Sequence, residues 1–278
     1  MAALMIIMCC ISGGAADSYS SVPYSSVWHT YDASLHWFYA QLSFDEKCAF
    51  SARYDALALG EISRWDIAGF GLTDYQQERV EFVINNDCPE LMICASVRKE
   101  AEFYALLGSP DWFSEYSRDL EGELRACLEE LDRVKSLGSW SGSDRNKQNA
   151  YDRYIARATK YVLDNDGPEG SLHLEPGVRS AKSAIVNRTA VCEGYSRSTQ
   201  LAMRYYGIPC IYIVGTIPSG EYHAWNLLRV DGSWKHYDAT WNADGDYMNL
   251  SDTEMYNKKG RTIDDEYALL GFSLPSCW

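Results

Sequence analysis

The chain of 278 residues reads as an α+β protein: a mainly helical N-terminal region, then a helix packed on an antiparallel sheet. Three observations predict this. Apolar residues recur at helical spacing in segments between about 31 and 163. A β-branched, aromatic run, "CIYIVGT" (210–216), follows a helical stretch that stops at "YGIP". Two further strand-like runs, "HAWNLLRV" and "SWKHYDAT", are joined by Asp231-Gly232, and an Asp-Gly pair in that position is the strongest short hairpin signal. Helices followed by strands is the α+β order.

The elements follow along the chain. "MAALMIIMCCI" is apolar but too short to span a bilayer. With Gly14-Ala15-Ala16 behind it, residues 1–16 are expected to be a signal peptide lacking the usual basic start. That implies a secreted or cell-surface protein, with a cytoplasmic one as the alternative. Residues 17–30 are Ser/Tyr-rich and read as a loose leader, and 31–107 read as mostly helical. Thr73 and Gln76 have capping-box spacing, and Val80, Val83 and Ile84 share the face that follows. A long helix is predicted over Pro110–Leu137, because Leu120, Leu124, Leu128, Leu131 and Val134 recur at three- and four-residue steps. Residues 138–148 read as a loop, 149–163 as a helix with Tyr151, Tyr154, Ile155, Ala158 and Val162 on its apolar side, and 164–177 as a Gly/Pro loop. Residues 180–206 then read as helical, closed by Gly207 as a left-handed cap and Pro209 as a stop.

Composition limits the function classes. The apolar fraction of 46% and 20 tyrosines belong to a globular chain. The formal charge of −14 would repel nucleic acid and an anionic membrane face. Nine cysteines are present, and Cys9 and Cys10 would leave with a signal peptide. If one of the remaining seven is a catalytic thiol, six are left, compatible with up to three disulfides or with reduced core residues. Cys88 and Cys94 are the nearest local pair among them. No Cys/His spacing suits a structural zinc, and no cofactor or metal is expected.

Hairpin geometry brings chemistry together. A two-residue turn pairs Val230 with Ser233, Leu228 with Lys235 and Asn226 with Tyr237, and sets Trp225 opposite Asp238 and His223 opposite Thr240. His223 and Trp225 share a face, and Asp238 is a diagonal neighbour of His223 within hydrogen-bond reach. A His beside a carboxylate is a general base with a fixed tautomer. Cys192, in "RTAVCEGYS", sits where a polar turn becomes an amphipathic helix, and the positive end of a helix favours a thiolate. The combination suggests Cys–His–Asp acyl transfer. Each residue alone has a plain reading: a core or disulfide Cys, a packing His, a surface Asp. Nothing in the spacing makes Cys192 face the pair.

The run "AIVNRTAVCEGYSRSTQLAMRYYGIPCIYIVGT" followed by "HAWNLLRVDGSWKHYDATWN" resembles the transglutaminase-like superfamily in its bacterial branch. Cys192 matches in "VCEGYS", His223 in "HAWN" and Asp238 in "YDATWN", and "YMNLSDTEM" (247–255) resembles the segment that follows. The resemblance covers about 178–256. It implies a papain-like, transglutaminase-like fold with Cys192 as nucleophile, His223 as acid and base, and Asp238 as the orienting residue. Attack on a peptide or glutamine-type amide would give a thioester. Water would resolve it in a protease or amidase, an amine in a transamidase.

The expected organisation is a signal segment at 1–16, a helical region at 17–148 that binds or covers substrate, and a catalytic domain at 149–278. The reading favours hydrolysis of protein or peptide substrates, cell-wall peptides among them, over cross-linking. A non-enzymatic peptide-binding surface protein is the rival. The Cys192 N–H is a natural oxyanion donor at a helix start, and Asn187 is named as a second. Trp225 is expected to cover the His–Asp bond and Trp241 to pack nearby. Asn226 is expected to point away, and Glu193 to be exposed on the first helical turn. His173 and His236 are other possible bases, with His236 expected to lie off the Asp238 face. "NADGDY" (242–247) lacks the Gly and Glu of a calcium loop and reads as a turn.

Overall fold

The computed structural model describes residues 33–59, 68–92, 110–137, 142–163 and 176–278. The signal-like segment 1–16, the leader 17–30, Cys94, His173 and most of the 164–177 loop lie outside the described residues. The helical half contains α1 (Trp37–Ala40), α2 (Phe44–Leu59), α3 (Asp74–Asp87) and α4 (Pro110–Ser136). Capping chemistry sets two of the starts. Thr73 accepts the Gln76 N–H and Gln76 accepts the Thr73 N–H, the box that the spacing predicts. Ser43 and Glu46 make the same exchange before α2.

Two predicted boundaries move. Residues 144–148 are helical, because the Ser143 side chain accepts the Asn146 N–H and starts α5 (Asp144–Tyr151). A wider π-type turn at Asp152–Ala156 ends that helix, and Lys160–Tyr161 form strand β1. The predicted helix over 180–206 is also broken. It begins as α6 (Ala181–Ile185), turns through Arg188 at φ 57°, forms strand β2 (Thr189–Ala190), and resumes as α7 (Cys192–Tyr205). The parallel pairing of β1 with β2 supplies backbone bonds that a continuous helix would forgo. The break leaves Cys192 as the first residue of a helix, as its place after the polar turn predicts. Gly207, at φ 77°, closes α7 as predicted.

The sheet contains β3 (Cys210–Thr216), β4 (Tyr222–Val230), β5 (Ser233–Tyr237), β6 (Met248–Leu250) and β7 (Thr262–Ile263), ordered β6-β5-β4-β3-β7 and antiparallel throughout. Asp231 and Gly232 both take positive φ, 49° and 85°, the two-residue turn that matches strand twist. The register is the one predicted: Val230 opposite Ser233, Leu228 opposite Lys235, Asn226 opposite Tyr237. The ladder stops there. Residues 238–240 are not strand, because Asp238 donates its N–H to the Tyr247 carbonyl at 3.0 Å and leads a turn. A short helix, α8 (Glu266–Leu269), follows β7.

One apolar core runs from the helices into the sheet. Phe38, Phe82 and Phe272 meet within it, with ring centroids 4.9–5.3 Å apart. One face of α7 anchors the helical half. Arg197 and Gln200 donate to the carbonyls of Asn85 and Asn86, and Arg204 pairs with Asp87 at 2.7 Å. These are donors at the carbonyl end of α3, where cations are favoured. Asp87 uses its other oxygen to accept the Phe38 and Tyr39 N–H groups at the start of α1. The Asp87–Arg204 pair is fully buried, so loss of either partner would cost about 3–5 kcal/mol. Among the described residues no helix is long and apolar enough to cross a membrane.

Candidate active site

Three elements bring the site together. Helix α7 contributes Cys192, half-buried on its first residue. Its N-cap, Val191, makes no side-chain cap bond, so the first-turn N–H groups are not neutralised from that position. The helix start lies close to the turn at Pro176–Arg179. A Cβ on Gly194 would come within 2.4 Å of the Val178 carbonyl oxygen and 2.3 Å of Ser183 Oγ. Glu193 is not exposed as predicted: it is largely covered and pairs with Arg197 and Arg179 at 3.2 and 3.4 Å. Both arginines lie within its reach on the helix and on the preceding turn, so the carboxylate folds back along the protein.

Strand β4 contributes His223, and the turn that follows β5 contributes Asp238. His223 Nε2 lies 2.8 Å from Asp238 Oδ2. The second carboxylate oxygen accepts the Thr240 N–H at 3.2 Å. The Cys192 thiol is near enough to hydrogen-bond the His223 ring. With Nε2 engaged by Asp238, Nδ1 is the nitrogen left for sulfur. Burial pulls the His223 pKa down, but hydrogen bonds and charge from Asp238 and Cys192 more than reverse this, leaving it at about 9. The arrangement therefore favours an imidazolium beside the thiol at neutral pH.

The surrounding residues sort differently from expectation. Trp225 is fully buried and stacks on His223 with centroids 6.2 Å apart. It packs against the imidazole but points its N–H elsewhere, to His236 Nδ1 at 3.1 Å. His236 thus shares the face of Trp225, contrary to the prediction. The reason is the pleat: positions 236 and 238 are two apart and project the same way. Asn226 points away as predicted, and its amide donates to the Ser196 and Ile211 carbonyls, tying β4 to α7 and β3. Trp241 is more than packing: it is 45% exposed and sets its edge against His223 at 5.9 Å. Asn187 lies in the exposed turn between α6 and β2, and among the described residues no hydrogen bond joins it to Cys192 or His223.

His236, Asp252 and Cys277 offer three ligand atoms within 4.8 Å of one another. The tautomer argues against a metal there. Trp225 can only donate, so His236 Nδ1 accepts and Nε2 carries the proton. Nε2 then donates to Asp252 Oδ1 at 2.9 Å and has no lone pair for an ion. Burial lowers the His236 pKa against the pull of Asp252, and burial pushes the Cys277 thiol up to about 12. Both groups stay neutral. Cys88, Cys192, Cys210 and Cys277 are all thiols, so none of these four forms the disulfides that the cysteine count allowed. The "NADGDY" segment is a turn: Asn242 accepts the Gly245 N–H and binds Asp152 with its amide.

Sequence reasoning missed Arg261. Its side chain is fully buried and donates to Asp238 Oδ2 at 2.8 Å, the oxygen that also meets His223. It lies 23 residues from Asp238 in an unremarkable "GRT" run, with no periodicity or motif to mark it.

Comparisons with known proteins find partial matches. Residues 138–239 match the model of the transglutaminase-like superfamily, a stretch that holds Cys192, His223 and Asp238. A structure described as a candidate cysteine protease from Cytophaga hutchinsonii is 19% identical, with TM-score 0.32, over 41% of this chain and 38% of that one. One described as a TGase is 18% identical, with TM-score 0.34, over 55% of this chain and 45% of that one. This chain therefore spans less than half the length of either. No curated protein matches the chain.

Proposed function

From a chain that carries a transglutaminase-like core over residues 138–239, we propose a cysteine enzyme acting on peptide or glutamine-type amides. The observation that carries the proposal is the 2.8 Å contact of His223 Nε2 with Asp238, with the Cys192 thiol at the same imidazole. The Cys192 thiolate attacks the amide carbonyl carbon. The oxyanion forms beside the first-turn N–H groups of α7. The His223 imidazolium gives its proton to the departing nitrogen, leaving a thioester on Cys192. His223, now neutral, takes a proton from the second nucleophile. Water yields a carboxylic acid and free thiolate, while a primary amine yields a new amide. Asp238 orients the ring and stabilises its cation throughout.

Hydrolysis is the favoured outcome. Cys192 is half-buried and Trp241 is 45% exposed, so the rim is open to water, and a cross-linker must keep water from the thioester. Trp225 serves as a packing partner of His223. The helical region is proposed to cover or grip the substrate, and residues 1–16 to direct export. The test incubates the protein with glutamine-containing peptides, with and without a labelled primary amine. Acid product and ammonia or cleaved amine, lost in Cys192→Ala, support hydrolysis. Amine incorporation in place of acid would establish transamidation. Full activity in Cys192→Ala would overturn the enzyme reading, and a Cys192 equally unreactive toward iodoacetamide with or without His223 would favour a binding protein.

A further inference from the structure

We infer that Arg261, acting through Asp238, is a positioning residue of this site, and that its charge sets the pH window of the Cys192–His223 pair. The inference rests on the proposed Cys–His chemistry and adds a residue to it. Asp238 Oδ2 is shared: His223 Nε2 and Arg261 Nη2 each lie 2.8 Å from it. Arg261 has no exposed side-chain surface, and its Nε and Nη1 find no partner among the described residues. A buried guanidinium normally uses most of its five donors. Asp238 is the ion-pair partner that compensates this one. Two aromatic rings lie against it, with the Trp241 centroid at 4.5 Å and that of Tyr247 at 5.4 Å. These faces hold the cation in place and take it away from water.

The charges explain why such a group would be retained. Facing Arg261 are Asp238 in the turn that follows β5, His223 on β4 with Cys192 of α7 beyond it, and Tyr247, which has Lys259 over its ring and Asp246 beside it. With Arg261 present, Asp238 is already matched before His223 takes a proton. The thiolate–imidazolium pair then adds no net charge to the buried cluster. Without Arg261, the same cluster carries an extra negative charge in both states. Every proton nearby is then held more tightly, so both the thiol and the imidazolium lose theirs at higher pH. The guanidinium also fixes the carboxylate plane to which His223 must align.

The test measures iodoacetamide alkylation of Cys192 across pH, by mass spectrometry, in wild type, Arg261→Met, Arg261→Lys and His223→Ala, with thermal unfolding of each variant as the control for folding. Arg261→Met keeps the bulk and loses the charge. Its profile should move to higher pH by about one unit, an approximately tenfold loss of rate on the acid limb. Arg261→Lys keeps the charge and should hold the midpoint while lowering the rate. A folded Arg261→Met with an unmoved midpoint overturns the inference. If that variant does not fold, a midpoint shift of about one unit in Arg261→Lys overturns it instead. Failure of the underlying reading looks different: wild type and His223→Ala would then alkylate identically, whatever Arg261 does.

Discussion

Replacing Asp238 with Asn removes the charge on which both His223 and Arg261 depend, and the structure sets the size of the effect. His223 stands at about 9 against an ordinary 6.5. A difference of roughly 2.5 units corresponds to at most about 3 kcal/mol favouring the protonated ring. Because the folded pKa is raised, this stabilisation is complete below about pH 6.5 and is lost as pH rises through about 9. In Asp238→Asn, burial lowers the ring pKa against Cys192 alone. The thiolate–imidazolium population should fall by about two orders of magnitude near neutral pH. Arg261 would also be left buried without its ion pair, an additional cost of about 3–5 kcal/mol. Denaturant unfolding should therefore show a large loss near neutral pH, and a gap between wild type and variant that narrows toward about pH 10. The double variant Asp238→Asn/Arg261→Met should recover part of the loss, because the orphaned cation is gone. A loss below about 1 kcal/mol, or a gap that does not change with pH, would refute the reasoning.

Two further outcomes follow from the packing. Gly194→Ala places a methyl 2.4 Å from the Val178 carbonyl oxygen, which already accepts the Val191 N–H. The start of α7 must shift, so about 1–3 kcal/mol of stability and much of the Cys192 alkylation rate should be lost, as read by thermal melts and labelling. Trp225→Phe keeps a ring against His223 but removes the N–H that His236 Nδ1 accepts. It should cost about 1–2 kcal/mol and let His236 titrate closer to neutral pH, visible in histidine proton NMR as a new titration. An unmoved His236 would contradict a proton held at its Nε2.

Local rules were enough for much of this protein. The Thr73–Gln76 box, the long helix α4, the stop at Gly207 and the Asp231-Gly232 hairpin all depend on neighbours in the chain, so their signals lie within a few residues. The register follows from the turn, and through it the meeting of His223 with Asp238, because a pleat of period two leaves no freedom once Val230 faces Ser233. The same rule, applied to positions 236 and 238, would have placed His236 with Trp225.

Other features depend on residues far apart in sequence, and only the folded chain decides them. Strand β2, just before Cys192, exists because it pairs with β1, a strand some 30 residues earlier. Glu193 is covered because Arg179 and Arg197 converge on it. The thiol meets the imidazole because Asn226 ties β4 to α7 and Gly194 lets the helix start close on the turn below it. Arg261 reaches Asp238 from a segment with no motif and no apolar period. Local propensity and alternation are written residue by residue, whereas the partner of a buried charge is selected by burial itself, across whatever length of chain brings it there.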